Sequence, residues 1–138
     1  MDREVIEQKL ESLRRCLRRI ETKCPADALT LMTDIDLQDI IALNLSRAVQ
    51  ICVDIGAHLI ASMETPPPDT MGQTFDLLAQ EGVLNNVLAT NLKMAVGFRN
   101  IAVHNYESIN WIIVHSIIRY HLADFTEFAK MVALKVAR

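Results

Sequence analysis

Only four glycines and four prolines punctuate the 138 residues, and no stretch alternates apolar and polar residues over a useful length. Sheet-rich folds are therefore excluded, and the chain reads as helical throughout. The three cysteines, Cys16, Cys24 and Cys52, are an odd number without Cys-x-x-Cys spacing. They can complete neither a disulfide framework nor an all-cysteine zinc site. The N-terminus lacks the basic, apolar and small-residue pattern of a secretion signal, so the expected location is the reducing cytoplasm. The longest run without Asp, Glu, Lys or Arg is about that of Ser108 to Ile118. A membrane span needs roughly 18 apolar residues, and no membrane partner is expected. Net positive charge is missing too: a formal charge of −3 rules out a uniformly basic, nucleic-acid-attracting surface.

What is present is apolar. Hydrophobic residues make up 51% of the chain, and the mean hydropathy of +0.19 is high for a small soluble monomer. Excess apolar surface of this kind points to a second copy or a permanent partner. The 138 residues suit a single domain (1–138) large enough to bury roughly two thirds of its unfolded surface. There are no internal repeats and no low-complexity tracts.

Apolar spacing divides the chain into helices. Residues 2 to 22 carry Val5, Leu10, Leu13, Leu17 and Ile20 on one stripe and end before Pro25. A short helical segment is expected after Pro25, because proline suits a first turn. Asp34 or Asp36 can cap a long helix to about Met63, with Ile41, Leu45, Ala48, Cys52, Ile55 and Leu59 as its stripe. Thr65-Pro66-Pro67-Pro68-Asp69 is a rigid break. A short helix, Thr70 to Gln80, follows with Phe75, Leu77 and Leu78 and stops near Gly82. Two more helices are predicted, from about Leu84 to His104 and from about Ser108 to Ala137. The last carries Val114, Ile118, Leu122, Phe125, Ala129 and Val132. The expected architecture is an all-α, up-down helical bundle with one or two short extra helices.

Between the last two helices stands the octet Arg99-Asn100-Ile101-Ala102-Val103-His104-Asn105-Tyr106. It sets a permanent cation, a proton shuttle and a phenol within about two helical turns. At about 100° per residue, Arg99 and His104 lie roughly 140° apart on a continuous helix, so spacing alone does not aim them at one point. Convergence requires the helix to end near His104, or two subunits to share one site. The plain alternative is a helix end whose histidine complements the macrodipole.

The stretch TFDLLAQEGVLNNVLATNLKMAVGFRNIAVHNY resembles, almost position for position, the HEPN-type toxins of the HepT family. The signature is Arg, a polar residue, three more residues, His, any residue, Tyr. The helix NLSRAVQICVDIGAHLIAS also resembles that family's second main helix, including the central Asp54. The resemblance covers nearly the whole chain and implies a HEPN-type four-helix bundle and a metal-independent endoribonuclease. It further implies the toxin half of a toxin–antitoxin pair, with a site composed across a homodimer. The implied partner is an MntA-like minimal nucleotidyltransferase that silences the toxin by transferring AMP to Tyr106.

Chemistry agrees with that implication. RNA carries its own nucleophile in the 2′-hydroxyl, so cleavage needs proton transfer and charge neutralisation, with no cofactor. Histidine, with an ordinary pKa of about 6.5, suits the first task and makes His104 the candidate acid or base. Arg99 offers a fixed-charge fork for phosphate oxygens. Asn100 can bond phosphate or orient His104, and Tyr106 can bind phosphate or stack on a base. Asn44, Arg47, Asp54 and His58 form a polar stripe that is either a solvated or interface-lining face or a support for the site. In the second case Asp54 orients His104 or pairs with Arg99. Asp54 and His58 lack a third metal ligand, so no metal is expected. His115 and His121 read as ordinary core or surface histidines. Arg14, Arg15, Arg18 and Arg19 form either a solvated face or a contact for RNA or an acidic antitoxin surface. A different class of function remains open: a non-catalytic helical partner that positions substrate for a nucleotidyltransferase subunit.

Overall fold

A computed structural model describes residues 2–137. Helix α1 spans Arg3–Lys23 and α2 spans Ala28–Thr33, followed by α3 over Ile35–Ala61. After the proline break come α4 (Met71–Gln80) and α5 (Asn86–His104), a 3-10 turn at Tyr106–Ser108, and α6 (Trp111–Val136). Among the described residues there is no strand.

The helix starts follow side-chain chemistry. Asp2, Asp27, Asp34, Thr70, Asn85 and Asn110 each accept a hydrogen bond from a backbone N–H of the first turn of the following helix. Asp34 is both the C-cap of α2 and the N-cap of α3, so only one residue separates these helices. Asp27, not Pro25, begins α2. Helix α6 starts at Trp111 instead of Ser108, because Asn110 takes the Ile112 and Ile113 N–H groups and Ile109 is extended and buried.

Helix α3 is the axis of the bundle and touches α1, α2, α4, α5 and α6. All six stripe residues expected on α3, and all six on α6, are buried. On α1 the stripe begins at Ile6, which is fully buried, while Val5 is only half-buried. Ile6 and Leu10 are four apart and share a face, whereas Val5 and Leu10 are five apart. Helix α4 packs where α3 narrows at Gly56: a β-carbon there would collide with the Thr74 methyl group and lie 3.1 Å from Leu78 Cδ1. Phe75 of α4 meets Phe128 of α6 edge to face, with ring centroids 6.1 Å apart. Gly82, at φ +76°, turns the chain out of α4. Cys16, Cys24 and Cys52 are free thiols.

Among the described helices α3 is long and apolar enough to cross a membrane, with a best 18-residue window of mean hydropathy 1.4. Charged residues break α3 into short uncharged runs yet leave this mean high, so the two measures differ on the same helix. Burial supplies the reason for that apolarity: 56% of the window is buried by the surrounding helices.

Candidate active site

The site is built at the end of α5. His104 is the last helical residue, and Asn105 closes the helix by donating its N–H to Ile101 O at 2.8 Å. The following turn is held by Ser108 N–H to Asn105 O at 3.0 Å and Ile109 N–H to Tyr106 O at 3.1 Å. It swings Tyr106 back onto the start of α3, where the phenol donates to Asp39 Oδ1 at 2.6 Å. The Tyr106 ring also meets Trp111 of α6 at an angle of 63°, with centroids 5.9 Å apart. Burial first, then the hydrogen bond and the negative charge of Asp39, push the phenol well above the ordinary tyrosine value. The side chain is still 39% exposed.

Arg99 and His104 do not converge within one chain. Because α5 runs unbroken through both residues, they point roughly 140° apart. Arg99 is half-buried and donates to Asn100 Oδ1 at 3.4 Å, so the Asn100 side-chain oxygen is turned to Arg99. His104 is exposed. Met94, Gly97, Ile101 and His104 step by three, four and three, which puts them on one face of α5. The first three, with Ile113 of α6, line an apolar groove of about 650 Å³ between α5 and α6. Met94, Ile101 and Ile113 are exposed there. Gly97 sits mid-helix, where glycine costs about 1 kcal/mol against alanine, yet nothing in the chain lies within 4 Å of a β-carbon at that position.

Asp54 is placed elsewhere. Its carboxylate lies 3.7 Å from Lys9 Nζ of α1 and accepts from Gln50 Nε2 at 3.0 Å. It sits fifteen residues beyond Asp39, about 22 Å along α3. Within the chain its partners are Lys9 and Gln50, not His104 or Arg99, and the polar stripe faces α1 at that level. Among the described residues no three His, Cys, Asp or Glu side chains gather as a metal cluster. His115 is a satisfied core residue bonded to Pro25 O at 2.8 Å, and His121 pairs with Asp124 at 3.0 Å. The N-terminal arginines divide. Arg14 and Arg18 lie 3.6 and 3.5 Å from Glu11, whereas Arg15 and Arg19 join Arg47 in a groove of about 480 Å³ lined by no acidic residue. Cys16 lies under that groove, its thiol pushed up by burial and drawn partly back by Arg47 and Arg15.

Sequence reasoning missed Asp39 and Trp111 as companions of Tyr106. A faint signal existed for the first: Asp39, Leu43 and Arg47 recur at four-residue steps, one helix face that begins and ends on a charged residue.

A family model described as ribonuclease HepT-like matches residues 6–132, the whole bundle with the site in it. The chain belongs to the ribonuclease HepT-like family. It is a ribonuclease of the toxin class. The mRNA nuclease HepT of Shewanella oneidensis is 36% identical over 129 residues, which cover 94% of this chain and 96% of that protein. The tri-AMPylated HEPN toxin of Shewanella oneidensis, solved in complex with an MNT antitoxin, superposes with a TM-score of 0.89. It is 35% identical over 97% of this chain and 99% of its own. The cytosolic protein YutE of Bacillus subtilis, of unknown function, shares the HepT-like fold with a TM-score of 0.85 at 18% identity, over 99% of this chain and 91% of that one.

Proposed function

We propose that the chain is a cytoplasmic, metal-independent endoribonuclease that works as a homodimer, with Arg99 and His104 of facing copies forming each site. The observation that carries this reading is the shared face of His104 and the apolar groove. A second copy seated on Met94, Gly97, Ile101 and Ile113 covers exposed apolar surface and draws the two His104 side chains toward the joint. It also gives Gly97 a reason, since an interface glycine lets two helices approach closely.

In the reaction one His104 takes the proton of the RNA 2′-hydroxyl as that oxygen attacks phosphorus. The 2′-oxygen–phosphorus bond forms, the bond from phosphorus to the 5′-oxygen breaks, and the other His104 protonates the leaving 5′-oxygen. Arg99 neutralises charge gathering on the phosphate oxygens, and Asn100, bonded to it, fixes the direction of the fork. Arg15, Arg19 and Arg47 supply the uncompensated positive groove along which the strand is held, despite the net charge of −3.

Tyr106 is the control point. The relative from Shewanella oneidensis is AMPylated and bound by its MNT antitoxin, and this reading takes the Tyr106 phenol, two residues beyond His104, as the acceptor in this chain. A cognate MntA-like nucleotidyltransferase transfers AMP to it, adding bulk and negative charge where RNA phosphate must sit. Expression without the partner tests the reading. Wild type should arrest growth, and His104→Ala should not while remaining folded; a His104→Ala protein as toxic as wild type refutes the catalytic assignment.

A further inference from the structure

We propose that Asp39 is the general base for modification of Tyr106. The inference rests on the reading of Tyr106 as the AMP acceptor and adds the group that activates it. As the phenolic oxygen attacks the α-phosphorus of ATP held by the partner, the oxygen–phosphorus bond forms. The bond from the α-phosphorus to the bridging oxygen breaks and pyrophosphate leaves. The phenolic proton passes to Asp39 Oδ1 and then to water.

The geometry is already set for this transfer. Asp39 lies 67 positions from Tyr106 in sequence, yet accepts its hydroxyl at 2.6 Å, within the short range of charge-assisted O–H···O⁻ bonds. Trp111 packs against the ring, with centroids 5.9 Å apart. Asp39 and Tyr106 are both exposed residues, so the pair lies at the surface of the bundle. Asp39 has no capping duty: Asp34 takes the first-turn N–H of α3. The other acids near the turn, Asp36 and Glu107, are exposed and do not hold the phenol. Because the site disfavours free phenolate, the proton must leave during attack, which is the condition under which a bonded carboxylate helps most. Transfer also breaks the hydrogen bond for good. The esterified oxygen has no proton to donate, and the new phosphate faces the Asp39 carboxylate, so the modified ring is released from α3.

The test is single-turnover modification of the toxin–nucleotidyltransferase complex with magnesium and ATP, read by intact mass and peptide mapping. Wild type should gain AMP at Tyr106. Asp39→Asn keeps an oxygen that accepts the phenol but is no longer a base, and should react about 10²–10⁴-fold more slowly with an unchanged KM for ATP. Asp39→Glu restores a carboxylate and should recover part of the rate. An Asp39→Asn protein modified as fast as wild type, or an Asp39→Glu protein as slow as Asp39→Asn, overturns the proposal. Wild type that gains no AMP at Tyr106 overturns the underlying reading instead.

Discussion

Replacing Ile113 on the α5–α6 groove separates dimerisation from the chemistry of the octet. Ile113 is 56% exposed in the single chain. Full burial of an isoleucine is worth about 1.5–3 kcal/mol, so covering the exposed half is worth about 1 kcal/mol per copy. A two-fold interface contains the residue twice, giving about 2 kcal/mol for Ile113→Ala, or roughly a thirtyfold rise in the dimer dissociation constant. Ile113→Asp goes further, because docking must desolvate two carboxylates at several kcal/mol each. Neither change reaches the core, so helical circular dichroism should stay unchanged. Light scattering and RNA cleavage are then measured at matched concentrations. Ile113→Ala should lose cleavage in proportion to dimer and regain it on concentration, and Ile113→Asp should be monomeric and inactive with Arg99 and His104 intact. A monomeric Ile113→Asp protein that cuts at the wild-type rate refutes the shared site; one that remains a dimer refutes the choice of face.

Three further outcomes are expected. Gly56→Ala places a methyl group against Thr74 and Leu78 and should cost about 2 kcal/mol, roughly 6–8 °C in Tm; an unchanged melt contradicts the close packing of α3 on α4. The Tyr106 phenol is held above its unfolded value, so its contribution to stability is full below about pH 10 and falls away as pH rises through the folded value. Denaturant melts should show this alkaline loss, and Tyr106→Phe should reduce it; equal slopes for the two proteins would contradict the Asp39 hydrogen bond. Alanine at Arg15, Arg19 and Arg47 should weaken RNA binding with little regard to sequence and flatten its salt dependence by about 0.7 for each phosphate no longer neutralised. An unchanged slope in fluorescence-anisotropy titrations assigns the groove to another partner.

The long helices were legible because burial repeats at helical spacing. Every stripe residue expected on α3 and α6 is buried, and each helix buries further residues beside its stripe. Where two apolar residues adjoin, as at Val5 and Ile6, local pattern cannot choose, and packing on α3 decides. Ser108 and Asn110 are both competent caps; Asn110 wins because Tyr106 is tied back to α3 and Ile109 is drawn into the core. The octet could be read because its chemistry is contiguous, and its divergence followed from helix geometry alone. What joins it to the fold could not be read. The Tyr106–Asp39 bond spans 67 positions, and Asp54, correctly placed on a polar stripe, is claimed by Lys9 and Gln50 about four turns away.

The most direct measurement is cleavage of RNA by the purified chain in EDTA, with the new ends mapped. Attack by the 2′-hydroxyl through paired His104 residues predicts undiminished cutting, 2′,3′-cyclic phosphate and 5′-hydroxyl ends, and none of either with His104→Ala. Cleavage abolished by EDTA, 3′-hydroxyl ends, or a His104→Ala protein that still cuts would contradict it.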